Sequence, residues 1–354
     1  MIGTVYFFVI VSLVTQYAAA FNYEKFDFIY ATRSYYVPLS VGSNEQKNGA
    51  LFDTGSWTLW LVNANHNTCK NKNGCSLGSF NASQSNTFHN SSQKTTIGYI
   101  GASYTDGWIV NDTFHLSSGK EIKDFEFDLF SNVSGPGIFG FSGYSPEPET
   151  NFIGYAKEQG VIDKEAFSFH LENSTTTNGS LILGGIDKAK YEGDLTYFTR
   201  QSLGYRGNSK VLYALAARVE TLTLASGQSV DVGNRTIVVD SGTQTISLPE
   251  AVVEKLGLST SLETPISCAD FVDGKENEVV TIRVQGRDFF IPYPEAFYKN
   301  SNGKCYSYIT SGPAVLLGSL FLQNAYFATN IETETYGIAP LKKTNESNIV
   351  DFWF

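Results

Sequence analysis

A mainly β fold, built as two duplicated lobes facing each other across a cleft, is predicted by three observations. The stretch Leu51-Phe52-Asp53-Thr54-Gly55-Ser56 returns far downstream as Val238-Val239-Asp240-Ser241-Gly242-Thr243. Each copy is followed by an apolar pair closing on glycine, Ile138-Phe139-Gly140 and Leu316-Leu317-Gly318, at 87 and 78 residues after its aspartate. Finally, the chain is rich in Gly, Tyr and Phe, with only 17% charged residues, and its short apolar and aromatic runs are cut by Gly, Asn and Ser. With 354 residues and 42% hydrophobic content it can bury a large core, and the length suits about two domains.

In each copy of the repeat an apolar pair leads into Asp, a small hydroxyl residue, Gly and a second hydroxyl residue, the pattern of a buried strand breaking into a tight turn. Glycine frees the backbone there, and hydroxyls hydrogen-bond a carboxylate without placing a second charge beside it. Two such carboxyls a few ångströms apart cannot both ionise cheaply, so they share a proton. A water held between them could then lose a proton to the ionised partner while the protonated partner stabilises a developing oxyanion. A single Asp-Thr-Gly is an ordinary strand-ending turn about as often as it is functional; the matched pair is far more specific.

The elements follow in order. Residues 1–20 hold no charged side chain, and the apolar run from Val5 to Val14 precedes Ala18-Ala19-Ala20, which reads as a secretory signal peptide and is too short for a comfortable membrane span. Residues 21–200 form the first lobe and residues 201–354 the second. Strands are expected at Phe28–Tyr30, Tyr35–Val41 and Leu59–Val62, and a polar surface loop from Asn63 to Ser92. Thr95–Leu116 reads as a hairpin with its tip at Gly101, Ala102 and Ser103. A helix end at Gln159–Asp163 is followed by a strand at Phe167–Leu171. The second lobe repeats the plan, with strands around Leu212–Leu224, a helix at Glu250–Leu256 and a short helix within Ala314–Asn324.

The formal net charge of −10 is dispersed, which argues against nucleic acid as a partner. Cys69, Cys75, Cys268 and Cys305 permit three full pairings; proximity and the split between halves favour Cys69 with Cys75 and Cys268 with Cys305. Structural disulfides suit an oxidising compartment. No CxxC occurs and the four histidines lack ligand spacing, so neither a metal nor another cofactor is expected. Eight Asn-X-Ser/Thr sequons, starting at Asn81, Asn90, Asn111, Asn132, Asn173, Asn178, Asn234 and Asn345, suit a secreted glycoprotein.

With these motifs in view the chain resembles the pepsin-like aspartic proteases, and among them the secreted enzymes of Candida-type yeasts. The likeness also rests on Val41-Gly42-Ser43, on Tyr99-Ile100-Gly101-Ala102-Ser103 with Gly107 and Asp112-Thr113, and on Gly184-Gly185-Ile186-Asp187 with Lys190-Tyr191. It implies two β-barrel-like lobes, catalytic Asp53 and Asp240, and a hairpin flap over the cleft. It also implies a monomeric, secreted endopeptidase, without a stable membrane anchor, that hydrolyses extended peptides at acid pH.

By position, the resemblance implies that Ser56 and Thr243 bond the outer carboxylate oxygens and that Thr54 and Ser241 link the two turns. Tyr99 takes the flap tyrosine position beside Trp60. Gly55, Gly242, Thr243, Gln244, Ile100 and Gly101 would meet the peptide, which lies as an added strand. Trp57 stands where a serine is usual, Ile100 where a glycine follows the flap tyrosine, and Ser319 where an acidic residue is common. The 32 residues between Ala20 and Asp53 leave no room for the family's prosegment, which predicts an enzyme that is not a zymogen. The alternative is a catalytically weak relative that binds peptides or proteins, and a two-carboxylate glycosidase is disfavoured because that chemistry needs no matched Asp-Thr/Ser-Gly turns.

Overall fold

In a computed structural model, described for residues 21–65, 69, 75–99, 102–133, 135–142, 151–199, 203–204, 211–212, 215–312 and 314–354, the chain is mostly β-strand with a few short helices. The leader and the flap residues Ile100 and Gly101 lie outside the described residues.

Two sheets repeat one plan. In the first, strands Ser34–Val41, Gln46–Asp53, Gly137–Gly140, Leu59–Val62 and Glu121–Phe130 lie side by side. In the second, the same places are taken by Ala216–Thr223, Ser229–Val239, Leu316–Leu317, Ile246–Leu248 and Ile309–Ser311. The pairing senses repeat too. The strand ending at each aspartate runs parallel to the short strand ending at, or just before, the closing glycine, with Phe52 opposite Phe139 and Val239 opposite Leu317. That short strand is antiparallel to the one resuming after the turn, with Leu59 opposite Phe139 and Ile246 opposite Leu317. The sequence duplication is thus a duplication of topology.

The closing glycines are needed for close approach. A Cβ on Gly140 would lie 2.5 Å from the backbone of Trp57 and Thr58, and one on Gly318 would lie 2.2 Å from Thr245 O. Contacts of that length exclude any side chain, so each aspartate turn is pressed against the strand that closes it. The amides of both glycines donate at 3.0 Å to matching carbonyls, Thr58 O and Thr245 O.

A third, six-stranded sheet draws on both ends of the chain, in the order Glu24–Asp27, Gly179–Leu183, Ala166–Leu171, Ala325–Asn330, Thr335–Pro340 and Thr196–Thr199. Its central strand Ala166–Leu171 is buried along its whole length. Phe169 stacks on Phe327 across the sheet and meets Phe52 edge-on at 5.0 Å. The apolar core therefore runs from this sheet to the strand that ends at Asp53.

Several elements fall close to their sequence expectation: Leu59–Val62 is a buried strand, Ala166–Leu171 a strand and Glu250–Lys255 a helix. The helix expected to end near Gln159–Asp163 is Phe152–Glu158, capped by Asn151 Oδ1 accepting from Gly154 N–H. The polar stretch assigned to a loop as far as Ser92 gives way to strand at His89, because His89–Tyr99 lies mostly exposed and carries polar side chains outward. In the hairpin His89–Tyr99/Ala102–His115, Tyr99 lies opposite Ala102 and Gly98 opposite Ser103, so Ala102 and Ser103, expected at the tip, belong to the second strand. Both favoured disulfides are present, Cys69–Cys75 and Cys268–Cys305. Among the described residues no helix is long and apolar enough to cross a membrane.

Candidate active site

Each aspartate is held by its own turn, and the two turns match atom for atom. Gly55 N–H donates to Asp53 Oδ1 at 2.9 Å and Ser56 Oγ donates to Oδ2 at 2.5 Å. Gly242 N–H donates to Asp240 Oδ1 at 2.9 Å and Thr243 Oγ1 donates to Oδ2 at 2.8 Å. Glycine in the third position lets the opposite carboxyl approach. A Cβ on Gly242 would come within 2.7 Å of Asp53 Oδ1, and one on Gly55 within 2.9 Å of Asp240 Cγ. The two carboxyl groups therefore face each other across the paired glycines.

Thr54 and Ser241 fasten the turns together from beneath. Thr54 Oγ1 donates to Val239 O at 2.8 Å and accepts from Ser241 N–H at 2.9 Å. Ser241 Oγ donates to Phe52 O at 2.7 Å and accepts from Thr54 N–H at 3.0 Å. Thr54 is 0% and Ser241 2% exposed, so water cannot substitute for these bonds.

Asp53 is buried, and its carboxyl is held well above the usual carboxylate range, first by loss of solvent and then by the facing Asp240; the Ser56 hydroxyl and Gly55 amide partly oppose this. Such a pair keeps a proton where an isolated aspartate would lose it.

Tyr99 stands at the edge of the site. Trp60 Nε1–H donates to its hydroxyl at 2.9 Å. Burial, followed by the charge on Asp53, pushes the phenol up, so it stays protonated and able to donate. Trp60 thus fixes the Tyr99 hydroxyl, while Ser56 fixes the Asp53 carboxyl.

Gln244, expected to meet the peptide, has its amide nitrogen committed elsewhere: it donates to Thr32 O at 2.9 Å and Ser34 Oγ at 3.2 Å. Ser319 is buried at the start of a one-turn helix, and its amide donates to Thr243 O at 2.7 Å. Trp57 is half-buried, with its backbone against Gly140. Sequence reasoning did not single out Thr32, Arg33 and Ser34, nor Tyr308, whose ring lies 4.0 Å from the Arg33 guanidinium carbon. Thr32 and Arg33 both have positive φ, 49° and 63°, in a turn without Gly or Asn, so composition offered no signal.

The family model for eukaryotic aspartyl proteases matches residues 34–341. Curated relatives include Candidapepsin of Candida tropicalis, 29% identical over 89% of this chain and 81% of its own length. Secreted aspartic proteases 8 and 6 of Candida albicans are 27% and 28% identical, over 89% and 90% of this chain and 78% of their own length. The matched region contains both aspartate turns.

Proposed function

The chain belongs to the eukaryotic aspartyl protease family, and from that premise we propose that this aspartic endopeptidase works in acid with Asp53 and Asp240 as its catalytic pair, after export from the cell. The observation that carries this reading is the mutual clasp of Thr54 and Ser241, which holds two aspartate turns face to face, where burial and the facing Asp240 raise the proton affinity of Asp53.

The pair holds one proton over the acid range. A water between the carboxyls gives its proton to the ionised partner as its oxygen attacks the scissile carbonyl, while the protonated partner hydrogen-bonds the carbonyl oxygen. The tetrahedral intermediate collapses when the amine leaves with a proton returned by the pair. The hydroxyls of Ser56 and Thr243 orient the carboxyls, and the backbone of Gly55 and Gly242 faces the peptide. Tyr99, with Ile100 and Gly101, covers the peptide and excludes water, which strengthens the electrostatics at the pair. The substrate is a peptide or protein segment in extended conformation, bound by a monomer. We assign residues 1–20 to a leader, residues 21–200 to the lobe carrying Asp53 and residues 201–354 to the lobe carrying Asp240. Export is supported by the apolar leader, both disulfides, the sequons and the names of the secreted Candida relatives.

Hydrolysis of denatured haemoglobin at acid pH, with and without a statine-type inhibitor, tests the reading. Inhibitor-sensitive cleavage by the wild type that falls by about 10²–10⁴ in Asp240→Asn supports it; a folded wild type without cleavage overturns it.

A further inference from the structure

On the strength of the protease reading, we propose that Arg33, placed over the ring of Tyr308 at one end of the cleft, selects substrates carrying an acidic side chain near the scissile bond. Arg33 lies at the tip of the two-residue turn joining strands Ile29–Ala31 and Ser34–Val41, with Ala31 opposite Ser34. This tip belongs to the first half of the chain but is fastened to the second. Gln244 donates to both Thr32 O and Ser34 Oγ, and Gln244 directly follows Thr243, whose hydroxyl holds Asp240. The hairpin tip therefore sits beside the Asp240 turn, within reach of an extended peptide passing over the aspartates.

The Arg33 guanidinium is 4.0 Å from the centre of the Tyr308 ring, and Tyr308 is itself anchored beside the Asp240 turn, since its carbonyl accepts from Ile246 N–H at 3.0 Å. A cation–π contact consumes none of the guanidinium's N–H donors, and those donors can grip a carboxylate through two parallel bonds. Arg33 is exposed, and it pairs with no carboxylate among the described residues. In a chain of net charge −10, an unpaired cation beside the catalytic turn attracts a substrate carboxylate that the chain's net charge repels. Gln244 ties down the turn that carries Arg33, and the Tyr308 ring supports its guanidinium before substrate arrives.

The test is a series of C-terminally amidated peptides in which a single Glu is moved from four residues before the scissile bond to four after it, each paired with its Gln counterpart. Amidation removes the peptide carboxylate as a competing anion. Near about pH 5.5, where glutamate is ionised, wild type should cleave the Glu peptide at one position with a kcat/KM about fivefold above its Gln partner. At about pH 3, where glutamate is protonated, that ratio should approach one. Arg33→Gln should abolish the preference and leave the Gln peptides within about twofold of wild type. Tyr308→Leu, which keeps the cation and removes its platform, should weaken the preference, so the proposal does not depend on one variant folding. Equal use of Glu and Gln peptides by wild type at every position, or a preference that survives Arg33→Gln, overturns the assignment of Arg33. A wild type that cuts no peptide of the series at any pH overturns the protease reading itself.

Discussion

Thr54 and Ser241 each take the other's backbone amide with a side-chain oxygen and spend their own hydroxyl proton on a carbonyl of the other half, Val239 O for Thr54 and Phe52 O for Ser241. Replacing Thr54 by Val keeps the shape but strands the Ser241 amide and the Val239 carbonyl in a buried setting. At about 1–3 kcal/mol for each orphaned group, the variant should lose about 2–6 kcal/mol in urea unfolding. Ser241→Ala alone strands two other groups, the Thr54 amide and the Phe52 carbonyl, at a similar cost. The double variant should therefore lose about the sum of the two, and a loss well below the sum would show that one variant already opens the other's bonds.

The raised proton affinity of Asp53 sets the sign of one pH effect. Its ordinary value is 3.8 and burial beside Asp240 raises it in the folded state, so the folded chain binds that proton more tightly than the unfolded one. The stabilisation is complete below the ordinary carboxylate value and is lost as pH rises through the raised folded value. Unfolding free energy measured from about pH 3.5 to neutrality should therefore decline in wild type, and Asp53→Asn should flatten that decline. An identical slope in the variant would remove Asp53 as its source.

Gly242→Ala places a methyl carbon within 2.7 Å of Asp53 Oδ1, and the two carboxyls must separate to admit it. Displacements near 1 Å at a reacting centre cost about 10²-fold, so kcat should fall by at least that factor. KM for a long peptide should change far less. Retention of full kcat would mean that the facing geometry of the carboxyls is not what matters.

The two disulfides close rings of very different size, with sequence separations of 6 and 37. Loop-closure entropy assigns about 2 kcal/mol to the first and about 4 kcal/mol to the second. Paired Cys→Ala replacement of Cys268 and Cys305 should thus lower the denaturation midpoint more than that of Cys69 and Cys75. The reverse order in denaturant titrations would point to packing around the small ring as the larger contribution.

The aspartate turns were legible in the sequence because their hydrogen bonds are local: an amide two residues on and a hydroxyl three residues on meet each carboxyl. The closing glycines could be located because backbone presses on backbone there and leaves a fixed residue type. The bonds from Gln244 to the Thr32–Ser34 turn were not legible, since each partner is an ordinary polar group far away in the chain. The start of the exposed strand at His89 was hidden for a different reason: a strand with little buried surface shows no apolar alternation. The pairing of Ala166–Leu171 with Ala325–Asn330 was equally silent, because two buried apolar runs give no indication of which partner each will take.

The six-stranded sheet bears on the order in which the chain can be made. Strand Ala166–Leu171 finds one neighbour, Gly179–Leu183, almost at once, but its other neighbour, Ala325–Asn330, leaves the ribosome only near the end of translation. During that interval the strand presents an open hydrogen-bonding edge to whatever is nearby, and an open edge is a template for the wrong partner. The nascent first half therefore needs shelter until synthesis is nearly finished, and slowing elongation between these two strands prolongs its exposure to aggregation.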